Sequence, residues 1–528
     1  MQAMGTSHHG IGASDGLFIG PVRSLGHSTA ERPSTGSANS ERAALQDAIE
    51  ASIADLAMLM ERVEGEAQDI LGFQVAMLED DALSSPALAA IEAGTPAHVA
   101  WSDALGAEIG GYEASEDGYF RARATDLCDI RDRVLRHLAG GGASAAARGV
   151  VLVGEDIAPT TFLEADWSAG GAIALSRGST TSHVAMLARA RGIPMVVGLG
   201  NVPSAGVLAV NGGSGLVLAD PDISQREAFA AAIRIETGTR AADERFRLAP
   251  ATRRSGERVD ILVNVAGVEE LEHIDPASCD GIGLMRSEFL FRDGAPLPDE
   301  ETQYRAYRRF VEWAGGRPVT IRTLDIGGDK PVRGLTPEGE TNPFLGLRGV
   351  RLTLAHADVF RIQLRALARA AVHGNLKVMF PMITVPEELA RSMELFHSCM
   401  VELEGEGIAC RRPPLGIMVE VPAVAVMPEL FHAAEFFSIG SNDLTQYVTA
   451  SSRDDARVAA LNDPSHPAVA KLISHVARYG RDAGIPVSLC GDMASEPKHL
   501  ASLLEAGLTS LSVAPARITR LKAAIAEL

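Results

Sequence analysis

Residues 416–422 read GIMVEVP, an apolar run that ends on Glu420 just before Val421 and Pro422. A short apolar run of this kind is typical of a buried strand in a parallel sheet. Seven other runs share the apolar pattern, and reactive side chains lie at or just past the ends of most of them. We therefore predict eight strands, at residues 258–267, 281–291, 318–328, 376–383, 415–422, 436–447, 485–493 and 508–515.

Eight such strands predict a parallel (β/α)8 barrel, which carries its chemistry at the carboxyl ends of the strands. Arginine, carboxylate, amide and thiol groups together indicate a site for a phosphorylated anion and a metal ion. The side chains at the predicted strand ends are Asn264, Arg286, Arg322, Asp325, Met382, Glu420, Asn442, Asp443 and Cys490.

The first half of the chain has a different pattern. From Glu41 onward, apolar residues recur at three- and four-residue spacing, which predicts amphipathic helices. A glycine-punctuated strand at 10–22 precedes them, and further strands with one helix at 182–190 follow. We expect a multidomain α/β chain with a helical bundle inserted into a small α/β domain. The predicted domains are residues 1–28 with 149–222 (α/β), 29–148 (helical bundle), 223–250 (helical linker) and 251–528 (barrel).

Length, net charge and cysteine content limit the classes of protein to which the chain can belong. The chain has 528 residues, more than a single core usually holds, and a formal net charge of −20. This acidity argues against a nucleic-acid partner and favours one with a basic contact face. Five cysteines without CxxC spacing indicate neither a disulfide framework nor a zinc cluster. The sequence shows no secretory signal pattern and no membrane-spanning run, so we expect a cytoplasmic protein.

The motif RGSTTSH at 177–183 predicts a phosphate-accepting histidine. Thr181 and Ser182 can cap the helix that begins at His183, where unpaired N–H groups and the helix dipole favour a phosphoryl group. Alone, His183 would more often be a polar surface or capping residue. The glycine turn, the flanking hydroxyl groups and the downstream barrel site make the nucleophile the better interpretation.

Each barrel residue also has a structural alternative. Arg286 and Arg322 need anionic partners, which Asp325 or Glu288 could supply to Arg322 instead of a phosphate. Glu420 and Asp443 suit Mg²⁺, although either could cap the following helix. Cys490 could be an inert small apolar residue rather than an acid or nucleophile. The chain has no P-loop, so ATP is poorly supported as the phosphoryl donor.

Ten segments, in order, resemble the enzyme I family of the bacterial phosphoenolpyruvate:sugar phosphotransferase system. The resemblance runs from about residue 10 to the end. The segments are GIGASDG, TSHVAMLAR, GLMRSEFLF, RTLDIGGDKP, NPFLGLRGVR, FPMITVPEEL, GIMVEVPA, GSNDLTQY, DPSHPAV and CGDMAS.

The resemblance implies a set of roles for residues of this chain. His183 would carry the phosphoryl group and move between the barrel and a carrier. The inserted helices would dock the phosphocarrier HPr, and the barrel would form a homodimer. At the barrel rim, it implies phosphate binding by Arg286, Arg322 and Arg453, substrate contact by Asn442 with Arg348 nearby, Mg²⁺ ligation by Glu420 and Asp443, and protonation of the enolate by Cys490.

Three positions depart from the family pattern. Ser179 replaces a glycine of the histidine loop, and Asp454 with Asp455 follows Arg453 where Gly-Asn is frequent. Gln74 stands in the predicted carrier-docking helix where some members have histidine. These departures leave open a regulatory paralogue with a different carrier, or a phosphoenolpyruvate sensor without turnover. A dikinase or phosphoenolpyruvate synthase would need a nucleotide-binding domain, for which the residues before His183 are too few and too helical.

Overall fold

A computed structural model divides into two compact units, Met1–Gly238 and Thr239–Leu528. It describes the chain except for residues 1–5, 26–36, 62, 64–65, 114–117, 141–147, 179–181, 202–204, 292–295, 329–331, 333, 338, 453–457 and 459–460. For residues 66–67, 69–70, 113, 118–123, 183 and 190 it describes the main chain only.

Five helices of the first unit form a bundle. In the sequence, they lie between two strands of the unit's sheet. Their apolar stripes pack into one core, with Leu45, Leu56, Trp101 and Ile130 fully buried. The helices are α1 (Ala38–Met60), α2 (Glu66–Glu79), α3 (Asp81–Glu92), α4 (Ala97–Glu113) and α5 (Gly118–Leu138).

The described part of the first unit also holds an eight-stranded mixed sheet, in the order β1-β8-β7-β3-β4-β5-β6-β2. Alternate residues of its strands enter two separate apolar cores, one on each face, as the two-residue strand period requires. Its strands are β1 (Thr6–His9), β2 (Ile11–Ser14), β3 (Leu17–Ser24), β4 (Val151–Gly154), β5 (Ala172–Leu175), β6 (Met195–Val197), β7 (Val207–Asn211) and β8 (Leu216–Ala219). The helices of this part are α6 (Pro159–Glu164) and α7 (His183–Arg191), followed by α8 (Ile223–Asp243), whose last five residues belong to the second unit.

The prediction of one strand over residues 10–22 is wrong. The segment forms two strands, because Gly16 has φ +120°, a left-handed conformation that ends β2 and redirects the chain into β3. A β-carbon at Gly16 would also lie 2.9 Å from Cγ of Pro194. The predicted helix at 182–190 is observed as α7, shifted by one residue, and α8 covers residues 223–243 of the segment predicted to be a helical linker.

The second unit is a closed parallel barrel, which confirms the predicted fold class. β10 pairs in parallel with both β11 and β17, and this closes the ring, while β9 (Ala251–Thr252) pairs antiparallel with β10 outside it. The barrel strands are β10 (Arg258–Val265), β11 (Ile282–Arg286), β12 (Val319–Arg322), β13 (Leu376–Phe380), β14 (Leu415–Val419), β15 (Phe437–Gly440), β16 (Val487–Cys490) and β17 (Ser510–Val513).

Helices follow the strands and cover the outside of the barrel. The sixth predicted strand is too long, since residues 441–447 belong to a helix that starts directly after β15. The described helices of this unit are α9 (Glu300–Trp313), α10 (Val350–Ala355), α11 (Ala357–Ala370), α12 (Pro386–Gly405), α13 (Pro422–Val426), α14 (Ser441–Thr449), α15 (Pro467–Ala483), α16 (Pro497–Glu505) and α17 (Ile518–Glu527). None of the helices described is both long enough and apolar enough to span a bilayer.

Candidate active site

Arg322 and Asp325 form the first ion pair of the barrel rim. Arg322 ends β12 with only 5% of its surface exposed. Its Nη1 lies 2.8 Å from Asp325 Oδ2 and its Nη2 lies 2.5 Å from Glu288 Oε1. These carboxylates raise the pKa of Arg322, although burial opposes the charged form. Both partners weighed from the sequence are therefore present, and the Nε of Arg322 is buried without a hydrogen-bond partner among the described residues.

Arg348 joins Asp325 to Asp443 across the rim. It lies between β12 and α10 and is 2% exposed. Its Nε and Nη2 donate to Asp325 at 3.1 and 3.2 Å, and its Nη1 and Nη2 donate to Asp443 at 3.2 Å each. Nη1 also donates to the hydroxyl of Tyr447 at 3.2 Å. The sequence implied that Arg348 lies near the substrate, but it did not reveal this double clamp on two carboxylates.

Glu420 is fully buried directly after β14. Its Oε1 accepts a hydrogen bond from the main-chain N–H of Met382 at 2.7 Å, while its Oε2 has no partner among the described residues. Met382 is in the left-handed region, with φ +56°, which is rare for a residue with a side chain and often marks a functional segment. Burial, reinforced by Asp443 and Asp325, raises the pKa of Glu420 to about 8.

The two predicted metal ligands suit a hard divalent cation. Glu420 presents a buried oxygen that accepts no hydrogen bond from the described residues. The negative charge of Asp443 is close enough to disfavour the ionisation of Glu420. No cluster of three or more His, Cys, Asp or Glu side chains with metal-binding geometry occurs in the part of the chain that the structure describes. Mg²⁺ is commonly bound by only one or two carboxylates and completes its octahedron with water and substrate oxygens. The residues therefore fit Mg²⁺ when substrate supplies further oxygens.

Arg286 and Asn442 take different positions at the rim. Arg286 ends β11, is exposed, and has no hydrogen-bonding or ion-pair partner among the described residues. Asn442 lies in the first turn of α14, where its Nδ2 donates to Asp492 Oδ2 and its Oδ1 accepts from Asp492 N, both at 3.0 Å. Asn264, another predicted rim residue, pairs with Ser512 instead. Arg453 lies outside the described residues.

Cys490 ends β16 in an apolar setting. Its thiol is buried with Leu284, Met379 and Met418, and its Sγ accepts a hydrogen bond from Ser438 Oγ at 3.4 Å. Burial raises the pKa of the thiol, so it stays protonated at neutral pH. Gly491 follows with φ +128°, and a β-carbon there would lie 2.2 Å from Ser441 Oγ. The glycine thus allows β16 to approach the start of α14.

The helix that begins at His183 has the predicted cap. Ser182 is the N-cap residue, and its hydroxyl accepts a hydrogen bond from the N–H of Ala185 at 3.2 Å. Val184, Ala185 and Ala188 are buried against the sheet, and Arg189 Nη1 donates to the carbonyl of Ala13. His183 is therefore the first residue of an anchored helix.

Of the three departures from the family pattern, only Gln74 lies within the described residues. Its side chain is fully buried, and its Nε2 donates to Asp129 Oδ2 at 3.0 Å. Asp129 in turn accepts from the hydroxyl of Thr160 on α6. Gln74 therefore packs inside the first unit rather than on a surface that a carrier could touch. Ser179 and Asp454 lie outside the described residues.

Gln363 is a site-supporting residue that the sequence did not reveal. It is a buried side chain of α11 whose Oε1 accepts from the main-chain N–H of Leu324 at 2.9 Å. Its Nε2 donates to Ser287 Oγ at 3.1 Å and to the hydroxyl of Tyr307 at 2.9 Å. It thereby ties the segment after Arg286 to the segment after Arg322. The only sequence signal is a polar residue at an apolar-stripe position of a helix.

Three family models match the chain in order. The N-terminal model of phosphoenolpyruvate (PEP)-utilising enzymes matches residues 9–123, the mobile-domain model 146–220, and the PEP-binding domain model 240–528. The last alone covers more than half of the chain.

Curated relatives match nearly the whole length. A phosphoenolpyruvate-protein phosphotransferase of Haloferax volcanii is 37% identical over 88% of this chain and 83% of its own. One of Enterococcus faecalis is 32% identical over 98% of this chain and 94% of its own. Among solved structures, the chain is similar to an enzyme I protein (nEIt) determined by NMR, with 25% identity, a TM-score of 0.36, and coverage of 44% of this chain and 99% of that chain. The sequence matches confirm the resemblance: the chain belongs to the family of PEP-utilising enzymes, among the phosphoenolpyruvate-protein phosphotransferases.

Proposed function

We propose that the chain transfers the phosphoryl group of phosphoenolpyruvate to His183 and then to a histidine of an HPr-like carrier, with release of pyruvate. This would be the first step of a sugar phosphotransferase system. The observation that carries the proposal is the convergence, at the carboxyl end of one barrel, of the groups that this chemistry needs. These groups are Arg322, Arg348, Glu420, Asp443 and Cys490.

The substrate phosphate would be held by arginine. Arg286 is exposed at the rim without a hydrogen-bonding or ion-pair partner among the described residues, and Arg322 is buried beside it at the end of the neighbouring strand. Guanidinium groups suit this task because their planar fork binds phosphate oxygens in pairs. We assign further contacts to Arg348, Asn442, Asp443 and Arg453 from the family resemblance.

The phosphoryl transfer breaks one bond and forms another. A ring nitrogen of His183, which the resemblance suggests is Nε2, attacks phosphorus in line as the bond to the enolpyruvate oxygen breaks. Cys490 then gives its thiol proton to the methylene carbon of the enolate to yield pyruvate, and solvent restores that proton. Mg²⁺, when held by Glu420 and Asp443, would offset the negative charge on the phosphate and enolate oxygens.

The position of His183 supports its role as the acceptor. At the start of α7, a phosphoryl group on the imidazole would meet main-chain N–H groups that lack helical partners, together with the positive end of the helix dipole. We propose that residues 1–28 and 149–222 form the domain that carries His183 to the barrel and to the carrier. The linker would be residues 223–250, and the barrel residues 251–528.

The inserted helical region, residues 29–148, would dock the carrier. Glu79, Asp80 and Asp81 form an exposed acidic corner between α2 and α3, which supports a basic-faced protein partner. We assign the enzyme to the cytoplasm, where such a carrier would be available.

We also propose that the barrel forms a homodimer. Val426, Met427 and Leu430 are exposed apolar residues within five positions of one another, at the end of α13 and in the turn after it, and they are 43–51% exposed. An exposed apolar patch of this kind supports a protein–protein contact.

The test of the proposed function is pyruvate release. The chain, phosphoenolpyruvate and Mg²⁺ would be mixed with purified candidate carriers, and pyruvate would be followed with a lactate dehydrogenase assay. We expect continuous release only with the cognate carrier, and none from His183→Ala. Binding of phosphoenolpyruvate without pyruvate release, with any carrier, would show a sensor and contradict the proposal.

A further inference from the structure

The guanidinium group of Arg348 has every donor engaged inside the barrel rim. Arginine has five N–H donors. In Arg348 they serve two oxygens of Asp325, two oxygens of Asp443 and the hydroxyl of Tyr447, at 3.1–3.2 Å. The hydroxyl of Tyr447 donates a hydrogen bond to the carbonyl of Phe344 at 2.6 Å. No N–H of Arg348 is left to point at a substrate phosphate.

The same contacts engage Asp443. Both of its carboxylate oxygens accept from Arg348, so a group suited to a divalent cation is already neutralised by a protein cation. The other predicted ligand, Glu420, is in the opposite state, since its Oε2 has no donor among the described residues. Of the two predicted cation ligands, Glu420 therefore has an oxygen that accepts no hydrogen bond from the described residues, whereas both oxygens of Asp443 are bound by Arg348.

Arg348 lies in a short segment bounded by a turn and a glycine. Gly349 follows with φ +59°, and a 3-10 turn at Pro343–Leu345 precedes it. Phe344 lies against the guanidinium, with the ring centroid 5.8 Å from Cζ. Arg348 thus sits in a short glycine-flanked segment between β12 and α10, and hydrogen bonds to Tyr447 attach that segment to α14.

We propose that Arg348 is an internal latch that competes with the divalent cation for Asp443. In the ligand-free chain the latch holds Asp443 and keeps cation affinity low. An anionic substrate that draws the guanidinium towards its phosphate releases Asp443, so substrate and cation binding support each other through this one side chain. The inference rests on the proposed function, because it assumes that Glu420 and Asp443 hold the cation.

The test measures cation affinity without phosphoenolpyruvate and without turnover. Mn²⁺ would be titrated into the full chain and the free ion followed by electron paramagnetic resonance. We expect Arg348→Met to bind Mn²⁺ about tenfold more tightly than the wild type, within the range of ordinary coupling between sites. Arg322→Met is the matched control, because it removes the same charge from the same rim, but Arg322 makes no hydrogen bond or ion pair with Asp443 among the described residues. We expect it to tighten binding less than about threefold.

Two results would overturn the latch. One is unchanged or weaker Mn²⁺ binding by folded Arg348→Met, and the other is equal tightening in both arginine variants, which would show a general field effect. Circular dichroism and thermal unfolding would establish that the variants fold. If Arg348→Met does not fold, Tyr447→Phe decides the question. This substitution keeps every charge but removes the hydroxyl that accepts a hydrogen bond from Arg348. We expect Tyr447→Phe to bind Mn²⁺ about twofold more tightly than the wild type. Unchanged Mn²⁺ affinity in this variant would overturn the proposal.

The two proposals fail separately. If the wild type forms pyruvate with Mg²⁺ while Arg348→Met shows no gain in Mn²⁺ affinity, only the latch is wrong. If Mn²⁺ binding behaves as expected but no pyruvate forms with any carrier, the proposed function is wrong and the competition for Asp443 stands.

Discussion

The side-chain oxygen of Gln363 accepts a hydrogen bond from the main-chain N–H of Leu324, two residues after Arg322. The Nε2 of the same side chain donates a hydrogen bond to the hydroxyl of Ser287, the residue after Arg286. One buried side chain of α11 therefore sets the spacing of the two segments that carry the proposed phosphate-binding arginines.

Replacing Gln363 with Met should raise KM for phosphoenolpyruvate several-fold more than it lowers kcat. The variant would leave the Leu324 N–H buried without an acceptor, at a cost of about 1–3 kcal/mol in the free energy of unfolding. The control is Gln303→Met. Gln303 bonds to Tyr307 and Pro298 in the same network but touches neither arginine segment. It should lose stability with little change in KM, and an equal rise in KM would remove the positioning role.

Cys490→Ala should slow pyruvate formation about 100-fold or more, which is the usual contribution of a positioned proton donor. Burial raises the thiol pKa above its usual value of 9.0, so the donor form is present at neutral pH and is lost only as pH rises through that higher pKa. Wild-type turnover should therefore keep its thiol-dependent part up to at least pH 9. Cys399→Ala is the control, since that buried cysteine lies on α12. Equal rates for wild type and Cys490→Ala would exclude the thiol as donor.

Asp129→Asn should stabilise the first unit at neutral pH. Burial raises the pKa of Asp129, so its contribution to stability is full below the unfolded pKa near 3.8 and is lost as pH rises through the folded pKa. Asparagine removes the cost of a buried charge. The asparagine oxygen can accept a hydrogen bond from Thr160. If the Gln74 amide turns over, the asparagine nitrogen can donate to Gln74 Oε1, which is buried without a partner among the described residues.

Calorimetry from pH 4 to pH 8 checks this prediction. The unfolding temperature of Asp129→Asn should exceed that of the wild type by about 2–4 °C at pH 8, which corresponds to about 1 kcal/mol in a unit of this size. The difference should shrink towards pH 4. Exposed Asp103 on α4 provides the control substitution. A destabilised Asp129→Asn at pH 8 would show that the ionised carboxylate is required.

If the proposed barrel-mediated dimer forms, Leu430→Glu should convert it to monomers. Leu430 is 49% exposed beside Val426 and Met427, and a buried charge without a partner would oppose an apolar contact there. Sedimentation velocity would measure the change, with Leu248→Glu, 53% exposed outside this patch, as the control. A wild-type monomer, or a dimer that persists in Leu430→Glu, would contradict the assignment of this surface.

The barrel and its rim could be predicted from the sequence because local patterns carry them. A buried parallel strand is a short apolar run, and the polar residue that ends it must lie on the rim, as Arg322, Glu420 and Cys490 do. The cap of α7 was predictable for the same reason, since Ser182 and the N–H that it accepts from lie three residues apart. The extension of the sixth strand through 447 is wrong because Leu444, Tyr447 and Val448 follow the three- and four-residue spacing of a helix.

Long-range pairing was not predictable from the sequence. Arg348 and Asp443 are 95 residues apart, and nothing near either residue indicates that they bind each other. The inward orientation of Gln74 depends on Asp129, 55 residues away in another helix. Such contacts follow from how elements pack. The sequence identified the charged groups and suggested Asp325 and Glu288 as partners of Arg322, but it did not reveal the partners of Arg348 or Gln74.

Labelling with phosphoenolpyruvate carrying radioactive phosphorus tests the central claim most directly. The chain would be incubated with the labelled substrate and Mg²⁺, then digested, and the labelled peptide identified. We predict an acid-labile, base-stable label on the peptide that contains His183, absent from His183→Ala and released by a cognate carrier. Label that persists in His183→Ala, or a wild-type chain that takes up none, would contradict the account.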